Sequence, residues 1–289
     1  MKTIEVTYRY EGCGCHSRPQ PPNSEAARLR LDDGNRAFAA LFDGFAKQDG
    51  VAQQVVPVDL RDLGLLPGNE GAPKQRPFAA ILGCSDARVP IELIFNEGPN
   101  DLFVIRVAGN GLGSEVLGSL KYAIENLSSS LKLIVVMGHS GCGAVQAAVD
   151  AFLSPSDYLL LATKHSLRNM LDQMLVVIQA SARTLVKAFG PDVVRCPGYR
   201  DALVETAVVV NAALAAHSIA KEIEAYDSTE LRVVFGVYLL GTREVWTPRP
   251  DGPGRAGLAA APSDTSEFLA LGDATVRSER IASLINPGP

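Results

Sequence analysis

The chain lacks the marks of several protein classes. Its 289 residues carry 27 Lys and Arg against 32 Asp and Glu, so no basic excess draws it to nucleic acid or to an anionic membrane surface. No uninterrupted apolar run approaches the length that spans a bilayer, and the stretch Ala207–Ala216 is broken by Asn211. The N-terminus, Met1 to Tyr8, does not have the basic-then-apolar order of a secretion signal. Cysteine is scarce: five residues, an odd number, suit reduced thiols in the cytoplasm better than a disulfide framework. There is no internal repeat. What is present, 47% apolar and 20% charged residues, fits a well-buried α/β protein of one large domain or two small ones.

The chemistry gathers in two short segments, Gly83-Cys84-Ser85-Asp86-Ala87-Arg88-Val89-Pro90 and Met137-Gly138-His139-Ser140-Gly141-Cys142-Gly143-Ala144. Cys84, His139 and Cys142 offer two thiolates and one imidazole, a set that suits Zn2+ and leaves its fourth tetrahedral position open for catalysis. Each segment follows an apolar run that reads as a buried strand, Phe78–Leu82 and Leu133–Val136. Ligands at the carboxyl ends of two parallel strands stand where such sheets hold their ligands. Asp86 and Arg88, two apart, share a face if the segment stays extended. On a bare surface such a pair would be worth little. Beside a metal, Arg88 can hold Asp86 so that its carboxylate accepts a hydrogen bond from a hydroxide at the open position.

Elsewhere the pattern is organisational. Residues 1–22 read as irregular, with Cys13-Gly14-Cys15-His16 ahead of Pro19, Pro21 and Pro22. That cluster could bind a second metal, but in a proline-rich tail it reads as a flexible arm. Asn23 or Ser24 can cap a helix to about Lys47, broken near Gly34, with Ala37, Phe38, Leu41, Phe42 and Phe45 on its buried face. Residues 50–76 form a long connection with little periodicity. Strands follow near 78–83, 102–107 and 132–138, and helices near 114–127, from Gly143, and over Asp201–Ala225. Residues 150–199 are helical in pattern but broken at Pro155, Pro191 and Pro197. Thr247–Ser263, rich in Pro, Gly and Ala, reads as a linker or arm, and Ser266–Leu284 as a short helix. His165 and His217 fall in helical segments and read as surface or satisfied core residues.

Cys-Ser-Asp-x-Arg followed about 55 residues later by Gly-His-Ser-x-Cys-Gly-Ala resembles the β-class carbonic anhydrases. Leu29–Phe38, Asp101–Asn110 and Val233–Thr242 are similar to the family's opening helix, its second strand and turn, and its last core strand and hairpin. The resemblance implies an α/β fold with a mostly parallel four- to five-stranded sheet flanked by helices. With the pattern above, the chain divides into an irregular arm at 1–22, a zinc-dependent domain of this kind at 23–247 and a Pro/Gly-rich extension at 248–289. It implies one Zn2+ per chain on Cys84, His139 and Cys142, with Asp86 able to swing onto the metal as a fourth ligand in a closed state. Asp86 and Arg88 would be the catalytic dyad, and Gln75, Phe103, Ala108, Tyr122 and Gly143 the substrate pocket. The implied reaction is reversible hydration of CO2 to bicarbonate and a proton, in a cytoplasmic homodimer or a multiple of it, with neither nucleic acid nor membrane as partner. Hydrolysis of carbonyl sulfide or carbon disulfide on the same zinc, or a zinc-bearing scaffold without catalysis, are the alternatives. Two positions depart from the pattern. Val107 stands where the family commonly has Asn, and Ile81 where bicarbonate-regulated members carry Trp, although Arg106 and Tyr238 match the rest of that regulatory site.

Overall fold

The computed structural model describes residues 3–11, 18–47, 51–64, 71–154, 156, 165–224, 231–249 and 252–286. Strand β1 (Thr3–Glu11) pairs in parallel with β2 (Val51–Asp59), and α1 (Ser24–Lys47) makes the crossover between them. Both strands correct the expectation of an irregular 1–22 and an aperiodic 50–76. Their β-branched and aromatic residues favour strands. However, the two-stranded sheet leaves Tyr8, Tyr10, Val51 and Val55 exposed, so no clean apolar stripe marks it. The Cys13–His16 cluster lies outside the described residues.

Asn23 caps α1, its side-chain oxygen accepting the Ala26 N–H at 2.9 Å. The helix runs unbroken through Gly34, contrary to expectation. The glycine is needed for contact: a Cβ there would stand 1.9 Å from the carbonyl oxygen of Phe95. Ala27, Leu31 and Phe38 form the buried face while Ala37 is exposed. Two buried polar residues share that face and are satisfied by backbone. Asp32 accepts the Leu258 N–H at 2.8 Å, and Asn35 accepts the Val245 N–H at 2.7 Å.

The main sheet is built from β3 (Ala79–Gly83), β4 (Leu102–Arg106), β5 (Leu133–His139) and β6 (Arg232–Tyr238), side by side as β4-β3-β5-β6 and all parallel. This is the expected mostly parallel α/β sheet. It carries more antiparallel strand than the one edge strand expected. β7 (Val245–Arg249) and β8 (Gly252–Ala256) continue it, and β9 (Ala259–Ala260) pairs with β6. β3 and β5 are buried along their whole length, as continuous apolar strands covered on both faces are. Ala80 and Leu82 join a core with the helices α3 (Ser114–Asn126), α4 (Gly143–Leu153), α5 (His165–Phe189) and α6 (Tyr199–Ile223). Ala79 and Ile81 point the other way, into a core with α1 and the short helix α2 (Ile91–Ile94).

Residues 248–289 are not a linker followed by one helix. Two helices, α7 (Thr265–Arg277) and α8 (Glu279–Ile285), seal the larger core with Leu271, Val276, Ile281 and Ile285. Of the Pro and Gly residues before them, Pro248 lies within β7 and Gly252, Pro253 and Gly254 within β8, while Gly257 sits between β8 and β9. By length and composition α6 could cross a membrane, which corrects the reading that nothing in the chain approaches that length. Yet 67% of its apolar window is buried inside the protein, and the apolar surface is used there.

Replacing Gly34 by Ala sets two effects against each other. Helix propensity gains about 1 kcal/mol, whereas forcing a methyl against the Phe95 backbone costs about 1–3 kcal/mol. The clash should prevail and thermal unfolding should shift downward; an upward shift would contradict the close approach.

Candidate metal centre

The two ligand segments meet because β3 and β5 are neighbours in parallel register, with Gly83 opposite Met137. Cys84 leaves β3 one residue later, His139 ends β5, and Cys142 precedes the first turn of α4. Their donor atoms all lie within 4.8 Å of one another, and all three residues are buried. The two sulfurs are 4.0 Å apart; two thiolates about 2.3 Å from a tetrahedral zinc would sit about 3.8 Å apart. The His139 Nδ1–H donates to the Ser140 carbonyl at 3.0 Å, which fixes the tautomer and frees Nε2 to ligate. That Nε2 is fully buried and finds no hydrogen-bond partner among the described residues. A buried orphan nitrogen facing two sulfurs fits a metal ion, because leaving it unpaired costs free energy that coordination recovers. The sulfurs point the same way. The Cys84 thiol is pulled down by the hydrogen bond from Cys142, and the Cys142 thiol is pushed up by Cys84 and by burial, so without a cation the pair keeps one proton.

Asp86 and Arg88 pair, though the segment is a turn and not extended. The Val89 N–H donates to the Asp86 carbonyl at 3.1 Å. Asp86 Oδ1 accepts the Arg88 backbone N–H at 2.8 Å, as Asp does in turns. The Arg88 guanidinium closes a fork, Nε to Oδ1 at 3.0 Å and Nη2 to Oδ2 at 2.7 Å. This grip holds the Asp86 carboxyl well below the usual carboxylate range. Asp86 Oδ2 lies 3.8 Å from His139 Nε2, beside the donor triad but not within it.

Not every expected residue arrives. Ala108 lies in the turn beside the centre, where the Gly109 N–H donates to Cys84 Sγ at 3.3 Å. Gly143 opens α4 directly after Cys142. Phe103 and Tyr122 stack at 6.3 Å, but Tyr122 is exposed and the pair stands at β4, the edge strand. Gln75 is exposed ahead of the first residue of β3, at the opposite end from Cys84, so a single chain does not bring it to the metal ligands. The His217 Nδ1–H donates to the Pro262 carbonyl at 2.7 Å and the ring meets Phe268 edge-on; it is half-buried and satisfied. The side chain of His165 lies outside the described residues.

Sequence reasoning missed the groups that hold the turns. Arg106, matched above to a regulatory site, donates from Nε to the Cys84 carbonyl at 3.0 Å and from Nη2 to that of Asp86. Ser140 Oγ accepts the Leu240 N–H at 2.9 Å. Asn211 Nδ2 donates to the Gly109 carbonyl at 2.9 Å, and Glu205 accepts the Gly141 N–H at 2.8 Å. A signal existed for the last two: both interrupt an otherwise apolar helix. The segment 150–199 also contributes, since Met174 of α5 packs on Gly109.

Gly141 sits at φ +62° between His139 and Cys142. A side chain in that left-handed region costs about 1–2 kcal/mol. Gly141→Ala should therefore lose about 1–2 kcal/mol of unfolding free energy in a denaturant titration, and unchanged unfolding would argue against the turn as described.

A carbonic anhydrase family model matches residues 79–245, more than half of the chain. A protein named carbonic anhydrase 2, from Mycobacterium tuberculosis, is 43% identical over 129 residues, covering 45% of this chain and 54% of that protein. A carbonic anhydrase from Mycolicibacterium smegmatis is 48% identical over 77 residues, 27% of this chain and 36% of that one. The chain thus spans about half the length, or less, of these curated relatives. Among solved structures, the β-carbonic anhydrase CcaA aligns at 23% identity with a TM-score of 0.48, covering 68% of this chain and 84% of that one. The match to the family model contains Cys84, Asp86, Arg88, His139 and Cys142, and the chain belongs to the β-class carbonic anhydrase family.

Proposed function

We propose that the chain catalyses the reversible hydration of CO2 to bicarbonate and a proton, with one Zn2+ per chain held by Cys84, His139 and Cys142. The observation that carries this reading is the orphaned His139 Nε2 facing two sulfurs, with an Arg-held carboxylate alongside. Both sequence relatives reported above are named carbonic anhydrases. Bound at this set, Zn2+ would supply a nucleophile at neutral pH by lowering the pKa of water from 15.7 to about 7.

The chain's own residues do the rest. Asp86 stays ionised and offers an acceptor beside the triad, while the Arg88 fork keeps its oxygens from turning inward to fill the open position. Arg106 pins the backbone at both ends of that turn, so the acceptor keeps its distance. Asp86 and Arg88 are thus the catalytic pair, and Ala108 and Gly143 border the substrate. Phe103, Tyr122 and Gln75 serve a pocket completed by a second copy. The edge of β4, unpaired among the described residues, and the exposed Tyr122 support a homodimer or a multiple of it. Free cysteines among the described residues support a reducing, cytoplasmic setting.

Metal analysis tests the ligand set. The wild type should carry about one zinc per chain, and Cys142→Ala should lose most of it, because three-point coordination collapses to two; full retention would overturn the assignment.

The pH–rate profile tests the pair. Asp86 has a depressed folded pKa, so its pairing is intact above the ordinary carboxylate range and is lost only as pH falls below it. Its titration adds nothing near neutrality, and CO2 hydration should rise through a single ionisation near about pH 7. Arg88→Ala should lower the alkaline plateau by about 10–100-fold at full zinc loading. Arg88→Lys should recover only part, since a point charge lacks the fork. Near-wild-type hydration by zinc-loaded Arg88→Ala would sink the role given to the pair. Carbonyl sulfide run alongside decides the substrate: hydrolysis of it without CO2 hydration would replace the proposed reaction.

A further inference from the structure

One charged side chain holds the turn between β5 and α4 without belonging to the ligand set or to the Asp86–Arg88 pair. Glu205 lies on α6 among Leu203, Val204, Thr206 and Ala207, all of them buried. A carboxylate in that setting, 13% exposed, has given up most of its water and must find donors within the protein. It divides its two oxygens. Oε1 accepts the Gly141 N–H at 2.8 Å. Oε2 accepts from Arg280, from Nε at 3.2 Å and also from Nη2. Arg280 is on α8, beyond residue 245, where the match to the family model ends.

Gly141 is gripped from its other side as well, since its carbonyl accepts from Arg88 Nη2 at 3.5 Å. One residue between two metal ligands therefore has its N–H fixed by Glu205 and its carbonyl in reach of the guanidinium that holds Asp86. Without Arg280, Glu205 Oε2 would lose the partner that fixes it, and the carboxylate would be drawn toward water, which weakens its hold on Gly141.

We propose that Arg280 is a positioning residue for the metal centre: through Glu205 it sets the Gly141 turn, and with it the place of the Cys142 sulfur. This rests on reading Cys84, His139 and Cys142 as zinc ligands.

The test is zinc affinity of the full chain, measured by competition with a chromophoric chelator, with thermal unfolding followed for each variant. Arg280→Ala should weaken zinc binding about tenfold and Glu205→Ala by about 10–100-fold, the range for groups that orient metal ligands. In the Glu205→Ala background, Arg280→Ala should add nothing, because its effect passes through Glu205. Arg280→Lys should recover part of the loss. Asp273→Ala, which breaks the Lys187–Asp273 pair of the neighbouring α7 but has no link to Gly141, should bind zinc like the wild type. The proposal is overturned if Arg280→Ala keeps wild-type affinity, if its effect persists in the Glu205→Ala background, or if Asp273→Ala loses as much. Should Arg280→Ala fail to fold, Arg280→Lys and Glu205→Gln decide: both should show a smaller loss than Glu205→Ala, and wild-type affinity in both overturns the role. Chelator competition reads out even if CO2 is not hydrated. A wild type that binds no zinc overturns the ligand reading itself, whereas a zinc-binding wild type with unaffected variants overturns only the part given to Arg280.

Discussion

The centre depends on the register between β3 and β5. With Gly83 opposite Met137, the chain leaves β3 at Cys84 on the same level as the last residues of β5, and a thiol and an imidazole converge. A slip of one residue would send every side chain of a strand to the opposite face. It would put Ala80 and Leu82 into the α1 side of the core and carry Cys84 away from His139. The register is therefore held by packing on both faces at once: Leu82, Ile134 and Val136 against α4 and α6, Ile81, Val135 and Met137 against α1. The apolar runs that bury the sheet also aim the ligands.

Once the strands are aligned, the remaining problem is charge in a dry place. Two sulfurs 4.0 Å apart cannot both ionise without a cation between them. Asp86 avoids burial costs by pairing with an arginine that reaches in from solvent, its side chain 60% exposed against 16% for the carboxylate. Glu205 is deeper and is matched by Arg280 and a backbone N–H. Farther away, the fully buried Glu97 is bound by Arg30, which locks α1 to the turn before β4. Asp86, Glu205 and Glu97 are each matched by an arginine, as the cost of a lone buried charge requires.

The parts outside the family match are not appendages, since α7 and α8 close the larger core. Within the match, α5 lays Met174 on Gly109, whose N–H reaches Cys84. Glycine at Gly109 lets its turn lie close against Met174, and Gly141 takes the left-handed conformation its turn requires. Residues far along the chain thus fix the backbone around ligands that the central strands supply.

By itself the sequence determined which two thiols and one imidazole come together, the strands that carry them and the Asp86–Arg88 pair, because these signals are local: apolar runs of strand length, a short motif and residue types with narrow chemistry. It also determined Asn23 as a cap, from one side chain and its next few neighbours. Tertiary structure alone decided where Gln75 stands, since only the pairing of β3 shows that it lies at the far end from Cys84. It decided that Gly34 is a contact and not a break, because Phe95 approaches from 61 positions later in the chain. It decided too that Arg106, Asn211, Glu205 and Arg280 hold the metal turns. Each of those bonds joins residues far apart in sequence, and no local pattern of apolar spacing records which partner a polar side chain will meet once the core has closed.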